Sequence, residues 1–336
     1  MLAVRMHRFG PPDVLVPEEV PDPVPGPGEV VVDVRAAGVH LIDTRLRSGV
    51  RGPMPALPAL PTVPGREVAG IVSGRGDGTN PALYGARVAA HLGGAPGGYA
   101  ARALVPAAAL LPVPDELDLG AAVALVGTGR TALGILNFAP LSPADTVLIP
   151  AAAGGLGILL TQYASGAGAT VVGLAGGPAK TRLVRENGAA HALDYTRPDW
   201  PARVREALGA ERPVTVVVDG VGGEVAREAY GLLADGGRYL VHGWSSRGAE
   251  ATGPGFVPED EELKARSQSY ERTVGPAMAA REGGPDPLGA LQRRAFAEAA
   301  AGRLRPVVHR FPLREAAAAH RALEERGTVG KVVLEP

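Results

Sequence analysis

Cysteine is absent from this chain of 336 residues. Disulfides, thiolate metal sites and a cysteine nucleophile are therefore excluded. Aromatics are scarce, with five Phe, two Trp and seven Tyr, so Val, Leu and Ala must fill the interior. Neither charge sign dominates. The 34 basic and 35 acidic residues leave a net charge of −1, which gives no basic footprint for nucleic acid or an anionic membrane. The start, Met1-Leu-Ala-Val-Arg-Met-His-Arg8, is too polar for a secretory signal. The apolar run Ala121–Val126 is far too short to cross a bilayer. These absences lead to the expectation of a cytoplasmic protein.

Hydrophobic residues make up 46% of the chain, and the 47 Gly and 32 Pro follow no periodic repeat. The length exceeds what one core usually serves, so two domains are expected. Up to about Pro114 the texture is Val-, Gly- and Pro-rich. Glu29–Arg35 and Glu67–Ser73 read as strands of an irregular β domain. Residues 21–28 hold too many prolines for a helix or an interior strand.

Beyond about Asp118 short apolar runs alternate with helical patterns. Thr146–Ile149, Thr170–Leu174, Val214–Asp219 and Gly237–Val241 read as strands buried on both faces of a parallel sheet. Ala179–Asn187, stopped by Gly188, and Trp200–Leu208 read as helices between them. The fold class is α/β, with a doubly wound parallel sheet over roughly 120–265. Residues 248–290 are dominated by Gly, Pro and charge, and only Glu259–Ser267 reads as helical. Leu291–Ala301 and Leu313–Arg326 read as helices, and Pro306–His309 and Lys331–Leu334 as strands.

The strand Thr146–Ile149 runs into Ala151-x-x-Gly154-x-x-Gly157, read as a dinucleotide fingerprint with alanine in place of its first glycine. Glycines let the backbone approach a pyrophosphate, and the helix that follows offers free N–H groups and a positive dipole. Ala153, Gly154, Gly155, Leu156 and Gly157 are the expected phosphate seat. No acid follows the strand Thr170–Leu174. Gly176 and Gly177 leave room there, and Lys180 can supply charge, which points to NADPH rather than NADH. The alternative is that Lys180 is only a solvated helix charge.

A series of short segments, in order along the chain, resembles one family. They are Gly38–Gly49, Pro64-Gly65-Arg66-Glu67-Val-Ala69-Gly70, Gly98-Tyr99-Ala100, Gly129-Arg-Thr131-Ala132, the glycine turn, Asp219–Gly223 and Gly330–Leu334. Together they are similar to the medium-chain dehydrogenase/reductase superfamily, and within it to the zinc-independent quinone oxidoreductases of the zeta-crystallin type. The resemblance implies a GroES-like β domain from residues 1–120 and 285–336. It implies a Rossmann NADP-binding domain over 121–284, with 248–284 left as a loop or oligomer contact. It further implies an active site in the cleft between the domains, commonly in a homodimer, with hydride transfer from NADPH to quinones or other conjugated carbonyls such as enones.

Zinc-dependent relatives carry Cys where this chain has His40 and His where it has Arg66. Arginine is a poor ligand, so no catalytic zinc is expected. His40 replaces the family Asn near the nicotinamide; it either donates to a carbonyl oxygen or only shapes the pocket. Arg45 replaces a pocket tyrosine and either binds an anionic or polar substrate or points outward. Thr131 either faces the cofactor or is a core threonine. These three are the catalytic candidates. The resemblance adds Asp43, Thr44, Tyr195, Val221, His242, Gly243, Ser245 and Arg326 as cofactor contacts; Asp43 and His242 also have structural readings, and Arg326 that of a solvated helix charge. Tyr99 is expected to pack in the β domain. Alternatives left open are an enoyl-thioester reductase and a non-catalytic NADPH-binding protein.

Overall fold

The computed structural model describes residues 1–336 apart from 53, 55, 94–96, 248–250 and 252. The chain divides into two compact units, Met1–Thr128 with Pro306–Pro336, and Gly129–Arg305.

The first unit is an antiparallel β structure built on the strand Glu29–Val39. That strand pairs with Glu67–Arg75, Arg102–Pro106 and the terminal strand Lys331–Glu335. Its valines face the core, with Val30, Val32, Val34 and Val39 at most 2% exposed. Full burial of each such side chain contributes about 1.5–3 kcal/mol. The register slips between Val34 and Ala36 against Glu67–Arg75. At that slip Gly70 lies so close to the Asp33 carbonyl that a Cβ would collide with it, as a bulge glycine does. Helices Leu41–Arg47, Leu119–Ala124 and Ala316–Glu324 complete the unit. Lys331–Glu335 also pairs parallel with Val308–Pro312.

The second unit holds a six-stranded parallel sheet among the described residues. Its order is 191–194, 170–175, 146–149, 214–219, 233–241, 269–272. The central strands are apolar on both faces: Val147, Leu148, Val171, Val172, Val216, Val217 and Val218 are fully buried. Helices Gly155–Gly166, Pro178–Glu186, Trp200–Leu208 and Gly223–Gly231 provide the crossovers. Strands Thr146–Ile149 and Val214–Asp219 have the bounds read from sequence.

Three sequence readings need correction. Within 248–290 the helix expected over Glu259–Ser267 is present as Asp260–Ala265, but the described residues add the strand Ser269–Arg272 and the helix Pro276–Glu282 where the sequence indicates a loop; residues 248–250 and 252 lie outside the described residues. Gln268 makes the edge strand possible, because its amide donates to the carbonyls of Leu233 and Ala234 at 3.0 and 2.9 Å and accepts from the Tyr230 hydroxyl at 2.8 Å. The structure adds the strand His191–Asp194, which is too short and polar to stand out in the sequence. The helix Pro287–Ala300, assigned by sequence to the β domain, belongs to the second unit, with its boundary at Arg305. The backbone of Gly134 lets Met278 and Leu291 pack directly against the helix Arg130–Leu136.

The helical stretch Leu119–Leu136 has 18 residues and mean hydropathy 1.5, which satisfies the length and composition of a membrane span. Since 78% of it is buried within the protein, its apolar character is that of a core helix.

Candidate active site

In the second unit, strands 146–149, 170–175 and 214–219 end at one edge of the sheet. In an open α/β sheet this edge is where ligands bind. Gly154 caps the helix Gly155–Gly166, leaving the first-turn N–H groups of Gly155, Leu156 and Gly157 without helical acceptors. A Cβ at Gly157 would stand 2.5 Å from the Ala151 oxygen and 2.6 Å from the Ala152 Cα. The helix thus approaches the strand as closely as only glycine allows. Counting G-x-G-x-x-G back from Gly157 and Gly154 puts the first glycine's place at Ala152, which corrects the assignment to Ala151. Ala152 N–H bonds the Leu174 carbonyl at 2.8 Å. Ala151 instead holds φ 55°, a left-handed conformation that costs a non-glycine residue about 1 kcal/mol or more.

Gly176 and Gly177 follow the next strand. Gly177 has φ +82° and caps the helix Pro178–Glu186, the first turn of which carries Lys180. Tyr195 is brought alongside by its backbone bond to the Ala175 carbonyl at 3.4 Å. The structure also supplies an acid that the sequence reading did not find. Asp194 ends the neighbouring strand in register with Ala175, and its carboxylate accepts from Thr196 N–H at 3.0 Å and Thr196 Oγ1 at 2.7 Å. The Thr196 hydroxyl above all, with the Gly177 N–H, holds the Asp194 carboxyl below the usual range. The absence of an acid after Leu174 therefore does not leave this corner without one.

Asp219 organises the third group. Fully buried, it accepts from the N–H groups of Val221 and Gly222 at 2.8 and 3.2 Å. Burial nevertheless raises its carboxyl above the ordinary value. Backbone bonds from His242 to the Asp219 carbonyl and from Ser245 to the Gly220 carbonyl, at 2.8 and 2.9 Å, gather Val221, His242, Gly243 and Ser245 at one strand edge. Desolvation pushes His242 down to about 4, so it is neutral at physiological pH. Thr131 lies partly buried on the helix Arg130–Leu136.

The first unit carries a close, largely buried cluster of three ionisable side chains. His40 precedes the helix Leu41–Arg47, and its Nε2 lies 2.6 Å from Glu67 Oε2 and 2.7 Å from Lys331 Nζ. Lys331 Nζ also donates to Glu67 Oε2 at 3.2 Å. Glu67 and Lys331 are 1% and 4% exposed, while His40 retains 26%. Burial alone would raise the Glu67 carboxyl, but the charges of His40 and Lys331 outweigh it and hold it well below the usual range. Desolvation lowers Lys331 in turn. Nε2 thus has two competing neighbours, a carboxylate that takes a proton and an amine that gives one.

Asp43 is mainly a cap here, its carboxylate accepting the His40 N–H at 2.8 Å. Thr44 Oγ1 donates to the Leu41 carbonyl at 2.8 Å, so its hydroxyl is committed within the helix. Arg45 is partly desolvated, which lowers its pKa. Tyr99 is fully buried and shares a 3.0 Å hydrogen bond with His320 Nε2. Burial, and after it Asp43, pushes the Tyr99 phenol well above its ordinary value. Arg326, at φ 57°, follows the helix Ala316–Glu324, which Arg47 ties to Leu41–Arg47 through a 2.6 Å bond to Glu324. Glu67, Lys331, Asp194 and Asp219 were not singled out as site residues, although Glu67, Lys331 and Asp219 lie within the quoted motifs. Among the described residues no group of three His, Cys, Asp or Glu side chains could hold a metal ion.

Residues 26–115 match the family model described as the alcohol dehydrogenase GroES-like domain, and residues 187–334 match that of a zinc-binding dehydrogenase. The chain is 34% identical to 2-haloacrylate reductase of a Burkholderia species over 100% of this chain and 99% of that one. It is 31% identical to quinone oxidoreductase of Sus scrofa, covering 99% and 97%. Among solved structures, the Escherichia coli quinone oxidoreductase complexed with NADPH superposes with a TM-score of 0.84 at 29% identity, covering 100% of both chains.

Proposed function

Because the chain belongs to the zinc-independent quinone oxidoreductases of the medium-chain dehydrogenase/reductase superfamily, we propose that it reduces quinones or other conjugated carbonyls with NADPH. The observation that carries this reading is the Gly154–Gly157 turn, which leads into a helix N-terminus with no side-chain cap. The residues fit the cofactor. Gly154, Gly155, Leu156 and Gly157 would hold its pyrophosphate by backbone N–H groups. Gly176, Gly177, Lys180 and Tyr195 would receive the adenosine ribose and its 2′-phosphate. Thr131, Val221, Gly243 and Ser245 are the candidates for the nicotinamide end. The E. coli relative was solved with NADPH in this same fold.

When bound, NADPH supplies the hydride. The protein's own contribution is orientation, exclusion of water and a donor for the oxygen that gains charge. His40 fills that last role in this proposal. Lys331 Nζ, 2.7 Å from His40 Nε2, can return a proton to the ring once one has gone to the acceptor oxygen, and Glu67, held as a carboxylate, orients both. Lys331 and Glu67 act as positioning residues through His40. A homodimer is part of the same reading, and sedimentation equilibrium on the purified chain tests it. NADPH consumption against a panel of quinones, enones and enoyl thioesters tests the activity, and tight NADPH binding without turnover of any of them overturns it.

A further inference from the structure

The first unit contains a small pocket of about 210 Å³ that no step above uses. Its walls are mainly apolar, with Met6, Leu46, Leu57 and Pro64 among them, and Arg66 lines it. The Arg66 side chain is 18% exposed, and its nearest carboxylate oxygen, on Asp43, is 3.6 Å away. Nη1 meets only the Met54 thioether at 3.5 Å, and Nε is buried with no partner among the described residues. The other charged side chains of the pocket are already engaged: Arg47 with Glu324 at 2.6 Å, and Asp43 with the His40 N–H at 2.8 Å. A largely buried guanidinium with only long contacts is under-compensated, and a planar two-oxygen anion is the partner that its fork matches best.

We propose that Arg66 anchors a substrate carboxylate in this pocket, and that the chain's acceptor is a small α,β-unsaturated acid. This deepens the reductase reading and rests on it for the chemistry, though not for the binding. Arg66 also stands at a position where zinc-dependent relatives place a ligand, so a fixed cation takes up the task of drawing charge toward an oxygen. The likeness over the whole chain to a 2-haloacrylate reductase supports an acceptor of this size and charge. The reaction balances as hydride addition to the carbon β to the carboxylate. The π pair moves onto the α-carbon and the carboxylate oxygens, and one proton from water closes the α C–H bond. The products are the saturated acid and the oxidised cofactor.

The test compares a 2-haloacrylate with its methyl ester, using the full chain and NADPH. The acid should exceed the ester in kcat/KM by at least tenfold. Arg66→Met should collapse that ratio at least thirtyfold, and Arg66→Lys, which keeps the charge but not the fork, by about tenfold. Calorimetric titration of the acid in the presence of NADP+, where no turnover occurs, gives a second readout that Arg66→Met should abolish. An acid-to-ester ratio near one, or a ratio untouched by both variants, overturns the proposal. Reduction of quinones without acid binding sinks the pocket and leaves the reductase standing. Arg66-dependent acid binding without any NADPH turnover does the reverse.

Discussion

Lys331 Nζ lies 2.7 Å from His40 Nε2, although 291 residues separate them in the chain. The contact exists because the terminal strand pairs with Glu29–Val39 directly before His40, with Val332 opposite Val39. Both side chains converge on the buried Glu67. Removing the ammonium leaves a buried carboxylate without its full partner set, which typically costs about 3–5 kcal/mol. Lys331→Met is therefore expected to lower stability by about 3 kcal/mol in urea denaturation. Adding Glu67→Gln should restore part of the loss, because the stranded charge goes with it. A loss within about 0.5 kcal/mol of zero, the range of an ordinary surface substitution, would show that the pair carries no such weight.

The glycine turn makes opposite demands at its two ends. Gly157→Ala brings a Cβ to 2.5 Å from the Ala151 oxygen, so NADPH affinity should fall at least tenfold as the helix is pushed off the strand. Ala151→Gly relieves a left-handed alanine at φ 55° and should raise the melting temperature, through a gain of about 1 kcal/mol. Isothermal titration and calorimetry read the two effects separately.

Cofactor choice should respond in opposite directions to two charges at the Gly176–Gly177 corner. Lys180→Ala should lower the NADPH-to-NADH affinity ratio by about tenfold. Asp194→Asn removes a carboxylate held beside Gly177 and should raise the same ratio severalfold. Equal titration curves for Asp194→Asn and the parent chain would mean that this acid does not face the ribose.

Burial pushes His320 down from 6.5 to about 4, and its Nδ1 has no partner among the described residues. The folded chain keeps this histidine neutral, while the unfolded chain takes up a proton below about 6.5. Stability present above that pH is lost as pH falls toward 4, by about 3 kcal/mol if fully expressed. His242 acts in the same window with the same sign. Glu67 adds a separate loss further into acid, since its folded carboxyl is depressed. His320→Gln should flatten the dependence of melting temperature on pH between 6.5 and 4, and an unchanged slope would contradict the assignment.

Much of the second unit was legible because its strands are buried on both faces and so read as plain apolar runs. Val214–Asp219 is one such run, and it has the bounds the sequence indicated. Ser269–Arg272 was not legible. Its Ser-Tyr-Glu-Arg composition is polar, and it becomes a strand through Gln268 and its pairing with 238–241. His40 stands out by its type and position, and its partners lie within family-like segments, but nothing local in those segments shows that they meet His40. Glu67 and Lys331 are 264 residues apart in the chain. Asp194 escaped notice because the familiar rule looks at the end of the second strand, and this acid arrives from the strand beside it.

The most direct test of the reductase account is turnover with NADPH deuterated at the transferring C4 position. NADPH should be consumed with a quinone or a conjugated carbonyl, a chelator should leave the rate unchanged, and an enone product should carry the deuterium on its β-carbon. His40→Asn should lower kcat by about tenfold, within the usual range for losing a positioned donor. A chain that binds NADPH but neither consumes it with any quinone nor transfers deuterium to carbon in any enone, unsaturated acid or enoyl thioester would contradict the reductase reading.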